Sequence, residues 1–230
     1  MILIKNLSYS YDMNTYQTIK DLSFNIQQGE FVSILGKSGC GKTTLANIIC
    51  GYLKPTEGKI EIDGKASFYP NKNKIIINQE DDLFDWMTIY QNMEIATQDR
   101  DLILKYLLLV NLEDRINEYP SSLSAGMKKK LSFIRALSAK PDLLILDEPF
   151  SYLDYSTKAE LLKQFQRIIK SSNTTTILIT HNIDESLYLS DRIIVLKGYP
   201  FKISKDIRLD SKKIKGHAMA SLVDDIKKSY

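Results

Sequence analysis

Apolar and polar positions alternate over residues 2–8 and 22–26, a two-residue period that predicts strands. Further along come short apolar runs with no such period: FVSIL at 31–35, III at 75–77, LLIL at 143–146, TTILIT at 175–180 and RIIVL at 192–196. Runs of this length predict buried strands. IEI at 60–62 is a shorter strand, entered from a turn at 54–58 and left through Asp63-Gly64, a hairpin signal. Residues 65–74 are polar and loop-like. Helical stretches are expected at 44–50, at 88–96 with Thr88 as cap, and at 101–112. Tyr119-Pro120-Ser121-Ser122 breaks that last one, and Ser124 precedes a helix to about Ser138. Helices at 156–170 and 183–189 follow. Strands alternating with helices predict a parallel sheet with its ligands at the strand C-termini. The run of helices over 88–138 predicts a helical subdomain inserted into that core. Beyond Gly198 the pattern weakens: 205–216 is lysine-rich, 218–230 allows a short amphipathic helix, and 199–230 is expected to be a tail with no separate domain.

Between the strand at 31–35 and the helix at 44–50 lies GKSGCGKTT, which matches G-x-x-x-x-G-K-[ST] at Gly36, Gly41, Lys42 and Thr43. Strand, glycine-rich loop and helix are what the chemistry of this motif needs. Backbone N–H groups from Gly36, Lys37, Ser38, Gly39, Cys40, Gly41 and the helix start at Lys42, Thr43 and Thr44 can converge on a phosphate. Gly36, Gly39 and Gly41 allow close backbone approach and positive φ. Lys42 can reach the β- and γ-phosphates, and the Thr43 hydroxyl can ligate Mg²⁺.

Composition narrows the class without naming it. The 230 residues suffice for one sizeable α/β domain, and a net charge of +3 makes no case for nucleic acid. Cys40 and Cys50 sit in the phosphate loop and in the helix after it, so no disulfide framework is expected and a cytosolic compartment is the simplest reading. MILIKNLSYS lacks the basic and apolar regions of a signal peptide, and no run approaches 18 apolar residues. Any pore would have to come from other chains.

A second nucleotide signature follows from LLIL running into Asp147 and Glu148. A strand end can aim Asp147 at a metal beside the phosphates, and Glu148 can polarise an attacking water as general base. Upstream, Tyr9 and Tyr11 precede a polar turn through Asp12, Met13 and Asn14; such an aromatic either stacks on an adenine or caps the core. Residues 80–87 mix four acidic residues with Leu83, Phe84 and Trp86, which suits a docking surface or a solvated loop with one tucked tryptophan.

The chain resembles the nucleotide-binding subunit of ATP-binding cassette (ABC) transporters over roughly residues 1–198. LSAGM at 123–127 is similar to the family signature LSGGQ, Gln79 matches the Q-loop glutamine, SYLD at 151–154 the D-loop, His181 the switch histidine and Tyr11 the adenine-stacking aromatic. The resemblance implies an α/β fold: a P-loop NTPase core with a mostly parallel sheet, an N-terminal antiparallel β subdomain and the inserted helical signature subdomain. It implies ATP and Mg²⁺ as ligands and a head-to-tail dimer, homodimeric or of paired cassettes. Gln79 would sense the metal or the attacking water. Ser124, Ala125 and Gly126 would meet the γ-phosphate of ATP held by the partner. Asp154 would cross the dimer interface, and His181 would hold the catalytic geometry together with Lys42 and Glu148.

The resemblance also implies partners. Phe84 and Trp86 would contact membrane-spanning permease subunits at the cytoplasmic face of the cell membrane, where the chain would sit peripherally, with a solute-binding protein and no nucleic acid. Three departures stand out, one of them the run Lys128-Lys129-Lys130 in place of an Arg-rich run. Ala125 replaces the first glycine of the signature pair, a change that costs little if φ is negative there and more if it is positive. Met127 replaces glutamine, as is common in importers of the nitrate, sulfonate and taurine group, to which QEDDLFDWMT and THNIDESLYLSDRI are also similar. An importer of a small solute is therefore expected, with an exporter or lipoprotein-release ATPase, or a soluble ABC ATPase, as the alternatives.

Overall fold

A computed structural model of the chain describes residues 1–11, 17–80, 82–209 and 217–229. The turn expected through Asp12, Met13 and Asn14, the acidic Asp81, and residues 210–216 of the lysine-rich stretch lie outside them. The chain divides into two compact units, residues 1–71 with 175–230, and residues 72–174.

The first unit contains two sheets. One is antiparallel, with order β2 (Gln17–Ile26), β1 (Ile2–Ser10), β4 (Glu57–Ile62), β5 (Lys65–Ala66). Residues 65–66 thus belong to a strand and not to the expected loop. Asp63 and Gly64 join β4 to β5 with φ of 50° and 76°, the paired positive values that a two-residue hairpin turn demands. The other sheet is built on β3 (Phe31–Leu35), every residue of which is buried. It pairs in parallel with β8 (Thr175–Thr180) and β9 (Arg192–Lys197). β10 (Lys202–Arg208) adds antiparallel to β9.

β10 corrects the expectation of a tail, whereas the helix α7 (His217–Lys228) is the short amphipathic helix expected over 218–230. Along β10 the residues alternate exposed and half-buried, and Arg192 of β9 ties it down. The guanidinium donates to both Asp206 oxygens at 2.6 and 2.5 Å and to the Asn25 carbonyl at 2.7 Å. A bidentate pair of this kind fixes register as well as adding energy. In α7, Ile226 is fully buried and joins Leu35, Ile193 and Val195 in one apolar cluster, with Leu222 packed against it. The same unit holds α1 (Lys42–Cys50) and α6 (Ile183–Leu189).

The second unit pairs β6 (Lys74–Ile77) in parallel with β7 (Leu143–Asp147). β7 is buried throughout, whereas Ile75 and Ile76 of β6 are only half-buried. The helices are α2 (Ile89–Glu94), α3 (Arg100–Leu109), α4 (Ala125–Ser138) and α5 (Tyr155–Ser172). Thr88 caps α2 as expected, through a reciprocal pair with Gln91. α3 stops well before the predicted break at 119–122. Asn111 lies two residues past its end with φ of 58°, and 120–122 is a separate 3₁₀ turn. The centre of the unit is an aromatic trio, Phe133 of α4, Phe165 of α5 and Phe150, with ring centroids 3.9 to 6.2 Å apart. Such contacts add to the area each ring buries.

Candidate functional site

In the first unit the phosphate loop leaves β3 and enters α1. Gly41 caps the helix from the left-handed region, with φ of 108°. A Cβ there would lie 2.4 Å from Thr18 Cγ2 and 2.9 Å from Phe201 Cε1, so only glycine fits. Gly39 also has positive φ, at 77°, but Gly36 does not. At Gly36 space is short instead, because a Cβ would come within 2.9 Å of Cys40 Sγ and that side chain would have to move. Lys42 is buried, and its Nζ donates to the carbonyls of Gly36 at 2.8 Å and Lys37 at 3.0 Å. The lysine thus lies folded across its own loop. Gly41 brings no side-chain cap and the first turn of α1 has no acidic residue, so no carboxylate competes with an anion at this helix start. Burial raises the pKa of Cys40, so this thiol stays protonated at neutral pH.

Beside the loop is an open cleft of about 450 Å³ lined by residues 37–40 and 196–199. β3 and β8 run in register, Leu35 opposite Thr180, so Gly36 and His181 leave adjacent strand ends. The turn bearing His181 is fixed from both sides. Thr180 Oγ1 donates to buried Glu185 at 2.7 Å and accepts from the Asn182 N–H at 3.0 Å. His181 itself is exposed. Tyr11 is exposed too, with its ring edge-on to Tyr9 and its hydroxyl 2.8 Å from Thr44 Oγ1. It therefore does not cap the core, whereas Tyr9 is buried in β1.

In the second unit, Ile77 of β6 lies opposite Leu146 of β7, so Gln79 and Asp147–Glu148 also follow adjacent strand ends. Asp147 is buried. Glu148 is held at φ of 48°, rare for a residue with a side chain, and its carboxylate accepts from the Ser151 hydroxyl at 3.0 Å. Strain of this sort persists where the surroundings over-determine it.

The signature opens α4. Ser124 is its N-cap, accepting from the Met127 N–H at 3.3 Å, and Ala125 is the first helical residue with ordinary right-handed backbone. Alanine is therefore unstrained there. Gly126 is the constrained member of the pair, since a Cβ would lie 2.5 Å from Thr157 Cγ2 of α5. Asp154 caps α5, accepting from Ser156 N, Ser156 Oγ and Thr157 N at 2.6 to 3.1 Å. Those donors hold its carboxyl well below the usual carboxylate range. Met127, the residue in place of glutamine, meets Arg115 through its sulfur at 3.8 Å.

The segment after β6 is held at many points. Lys129 of α4 donates to the carbonyls of Asn78, Gln79 and Glu80. Arg135 donates to the Asp82 carbonyl at 2.5 Å and lies 5.5 Å over the Phe84 ring. Burial pulls the Arg135 pKa down, and nearby Asp82 opposes this. Buried Asn92 accepts from Phe84 N and donates to the carbonyls of Phe84, Met87 and Thr88. Trp86 is 73% exposed, edge-on to Phe84 at 5.2 Å, and so is not tucked away. These contacts go unnoticed in the sequence, where Lys129 stands out only as part of a lysine run and Asn92 reads as an ordinary helix residue.

Residues 19–151 match the family model described as ABC transporter. The chain belongs to the ABC transporter family. Its curated relatives include an aliphatic sulfonates import ATP-binding protein of Bacillus cereus, 37% identical over 86% of this chain and 81% of that one. A nitrate import ATP-binding protein of Synechococcus elongatus is 38% identical over 80% of this chain but 30% of its own length. The chain also spans only 32% of a bicarbonate transport ATP-binding protein of that organism. Among solved structures, an ATP-binding cassette captured as a dimer in a post-hydrolysis state with ADP and phosphate is 27% identical. It superposes with a TM-score of 0.74, covering 91% of this cassette and 99% of its own chain. The fold is thus the P-loop α/β fold of ABC cassettes, as expected. Among the described residues, no helix is long and apolar enough to cross a membrane.

Proposed function

We propose that this cassette is the ATP-hydrolysing subunit of a small-solute importer. In this reading it works as a dimer, peripherally at the cytoplasmic face of the cell membrane, with membrane-spanning subunits and a solute-binding protein. The observation that carries the proposal is the strand, loop and helix around Lys42 in a chain of this family. The relatives' names add direction: nitrate, bicarbonate and aliphatic sulfonates are all small oxyanions, and that class is the first to test as cargo.

Lys42 exchanges its two loop carbonyls for phosphate oxygens when ATP binds, gaining charge-assisted hydrogen bonds. The N–H groups of residues 36–44 take the remaining oxygens, and Tyr11 offers its face to the adenine. The Thr43 hydroxyl, the Gln79 amide oxygen and the Asp147 carboxylate are hard oxygen donors that suit Mg²⁺, which when bound neutralises phosphate charge. Glu148, steadied by Ser151, takes a proton from the attacking water as the oxygen bonds to the γ-phosphorus. The bond to the bridging oxygen breaks and ADP leaves with the electron pair. His181 steadies the γ-phosphate. Ser124, Ala125, Gly126 and Asp154 act across the dimer, and Phe84 and Trp86 meet the membrane subunits.

The test is ATP hydrolysis and dimerisation by the purified protein. Glu148→Gln is expected to lose about 10²–10⁴-fold in turnover and to elute as an ATP-bound dimer. Lys42→Ala is expected to lose tight ATP binding. A Glu148→Gln protein that stays monomeric with ATP and Mg²⁺, or unchanged ATP affinity in Lys42→Ala, would overturn the assignment.

A further inference from the structure

We propose that Lys129 is a positioning residue that fastens the loop bearing Gln79 to the helix that begins with the signature. This rests on the ATPase reading above, and its observations are separate from it. Lys129 sits in the second turn of α4, within the run Lys128-Lys129-Lys130. That is the wrong end of a helix for cations, because the N-terminal end of the dipole is positive. No acidic residue lies in the first turn to offset them. Lys130 reaches out to Glu160 of α5 at 2.9 Å. Lys129 instead is 5% exposed, and a buried ammonium demands strong acceptors.

It has them in three successive backbone carbonyls: Asn78 at 3.0 Å, Gln79 at 2.8 Å and Glu80 at 3.3 Å. An ammonium carries three donors that can fan out to three converging oxygens, which the planar fork of arginine does less well. The clasp fixes the main chain on both sides of the Gln79 Cα and so limits where its side chain can reach. Further along, Arg135 and Asn92 fasten residues 82–88 to the same group of helices. Signature helix and glutamine loop therefore move as one body. Lys129 touches no reacting atom in this scheme; it acts through Gln79.

The experiment compares the wild type with Lys129→Met and Lys129→Arg, after thermal melts have shown which variants fold. Cleavage by a glutamate-specific protease after exposed Glu80, whose carbonyl the lysine holds, is followed by mass spectrometry, with cleavage after Glu61 as the internal control. In Lys129→Met, cleavage after Glu80 is expected to rise about tenfold while that after Glu61 is unchanged. ATP turnover is expected to fall about 10–100-fold with KM for ATP within about twofold, since misplacement costs rate and leaves the phosphate loop intact. Lys129→Arg, which keeps the charge, recovers part of both effects. Unchanged cleavage after Glu80 overturns the clasp, as does a KM rise with kcat intact. Equal increases after Glu80 and Glu61 reduce Lys129 to general stability and overturn it too. If Lys129→Met does not fold, the arginine variant decides alone: faster cleavage after Glu80 with slower turnover and unchanged cleavage after Glu61 supports the clasp, whereas wild-type cleavage and turnover, or loss of turnover without faster cleavage, overturns it. A wild-type protein that hydrolyses no ATP defeats the ATPase reading, and the cleavage ratio still decides the clasp.

Discussion

Ala125 and Gly126 are neighbours in the signature, yet the structure constrains them differently. Ala125 begins α4 with unstrained backbone, whereas a Cβ on residue 126 would come within 2.5 Å of a stiff, β-branched Thr157. Ala125→Gly is therefore expected to change turnover by less than about threefold and stability by less than about 1 kcal/mol. Gly126→Ala is expected to destabilise by about 1–3 kcal/mol, because α4 or α5 must shift. Thermal melts and ATPase rates of the two variants check the contrast. Asp154 supports a prediction in pH. Its pKa is lowered in the folded protein, first by its bonds to Ser156 and Thr157, so the cap stabilises above the unfolded value near 3.8 and is lost as pH falls below it. Asn is an equally good cap without the titration. Asp154→Asn is expected to match the wild type in melting temperature at pH 7 and to lose less of it by pH 3.

The strands and helices that the chain's pattern announced are mostly those with an uninterrupted period. FVSIL, LLIL and TTILIT are buried strands as expected, and 183–189 is the helix α6. What escaped has a physical cause. β10 alternates, but its exposed positions are Lys202, Ser204, Asp206 and Arg208, and its pairing depends on Arg192, ten residues before it begins. α3 looks continuous to Leu112 by composition, but Asn111 adopts a left-handed backbone that hydrophobic counting does not register. In the candidate site, the motif residues were readable because their chemistry is local in sequence. Their supports were not, because Lys129 and Arg135 act on carbonyls 50 and 53 residues away and Asn92 reaches four to eight residues back, out of its own helix, into an irregular segment. Asn92 tests that point. It is fully buried and serves four backbone groups of residues 84–88. Asn92→Ala leaves those groups without it and is expected to cost about 2–4 kcal/mol in denaturant unfolding. Asn92→Asp keeps the acceptor for Phe84 N but loses the donors, and is expected to fall no nearer the wild type.

For the molecule as a whole, the question is which exposed apolar surface belongs to a partner. Trp86, with half-buried Phe84 against it, forms one candidate, and Leu108 and Leu109 at the end of α3 are also exposed. The difference is in how each is held. Phe84 is braced from below by Arg135 and Asn92, so the Trp86 ring is presented on a fixed backbone and loses little freedom on docking. Ring and flanking acidic residues together match an interface with an aromatic anchor and a polar rim. Trp86 buries little within its own chain, so Trp86→Ala is expected to change unfolding free energy by no more than about 0.5 kcal/mol. In detergent extracts of membranes, the same variant is expected to lose most of its copurification with a multi-span partner, since an interface anchor of this kind contributes 2 kcal/mol or more, roughly a 30-fold loss of affinity. A melting temperature lowered by many degrees would make Trp86 part of the fold's own packing. Full recovery of the membrane partner by Trp86→Ala would move the docking surface elsewhere, and the apolar end of α3 would be the next to test.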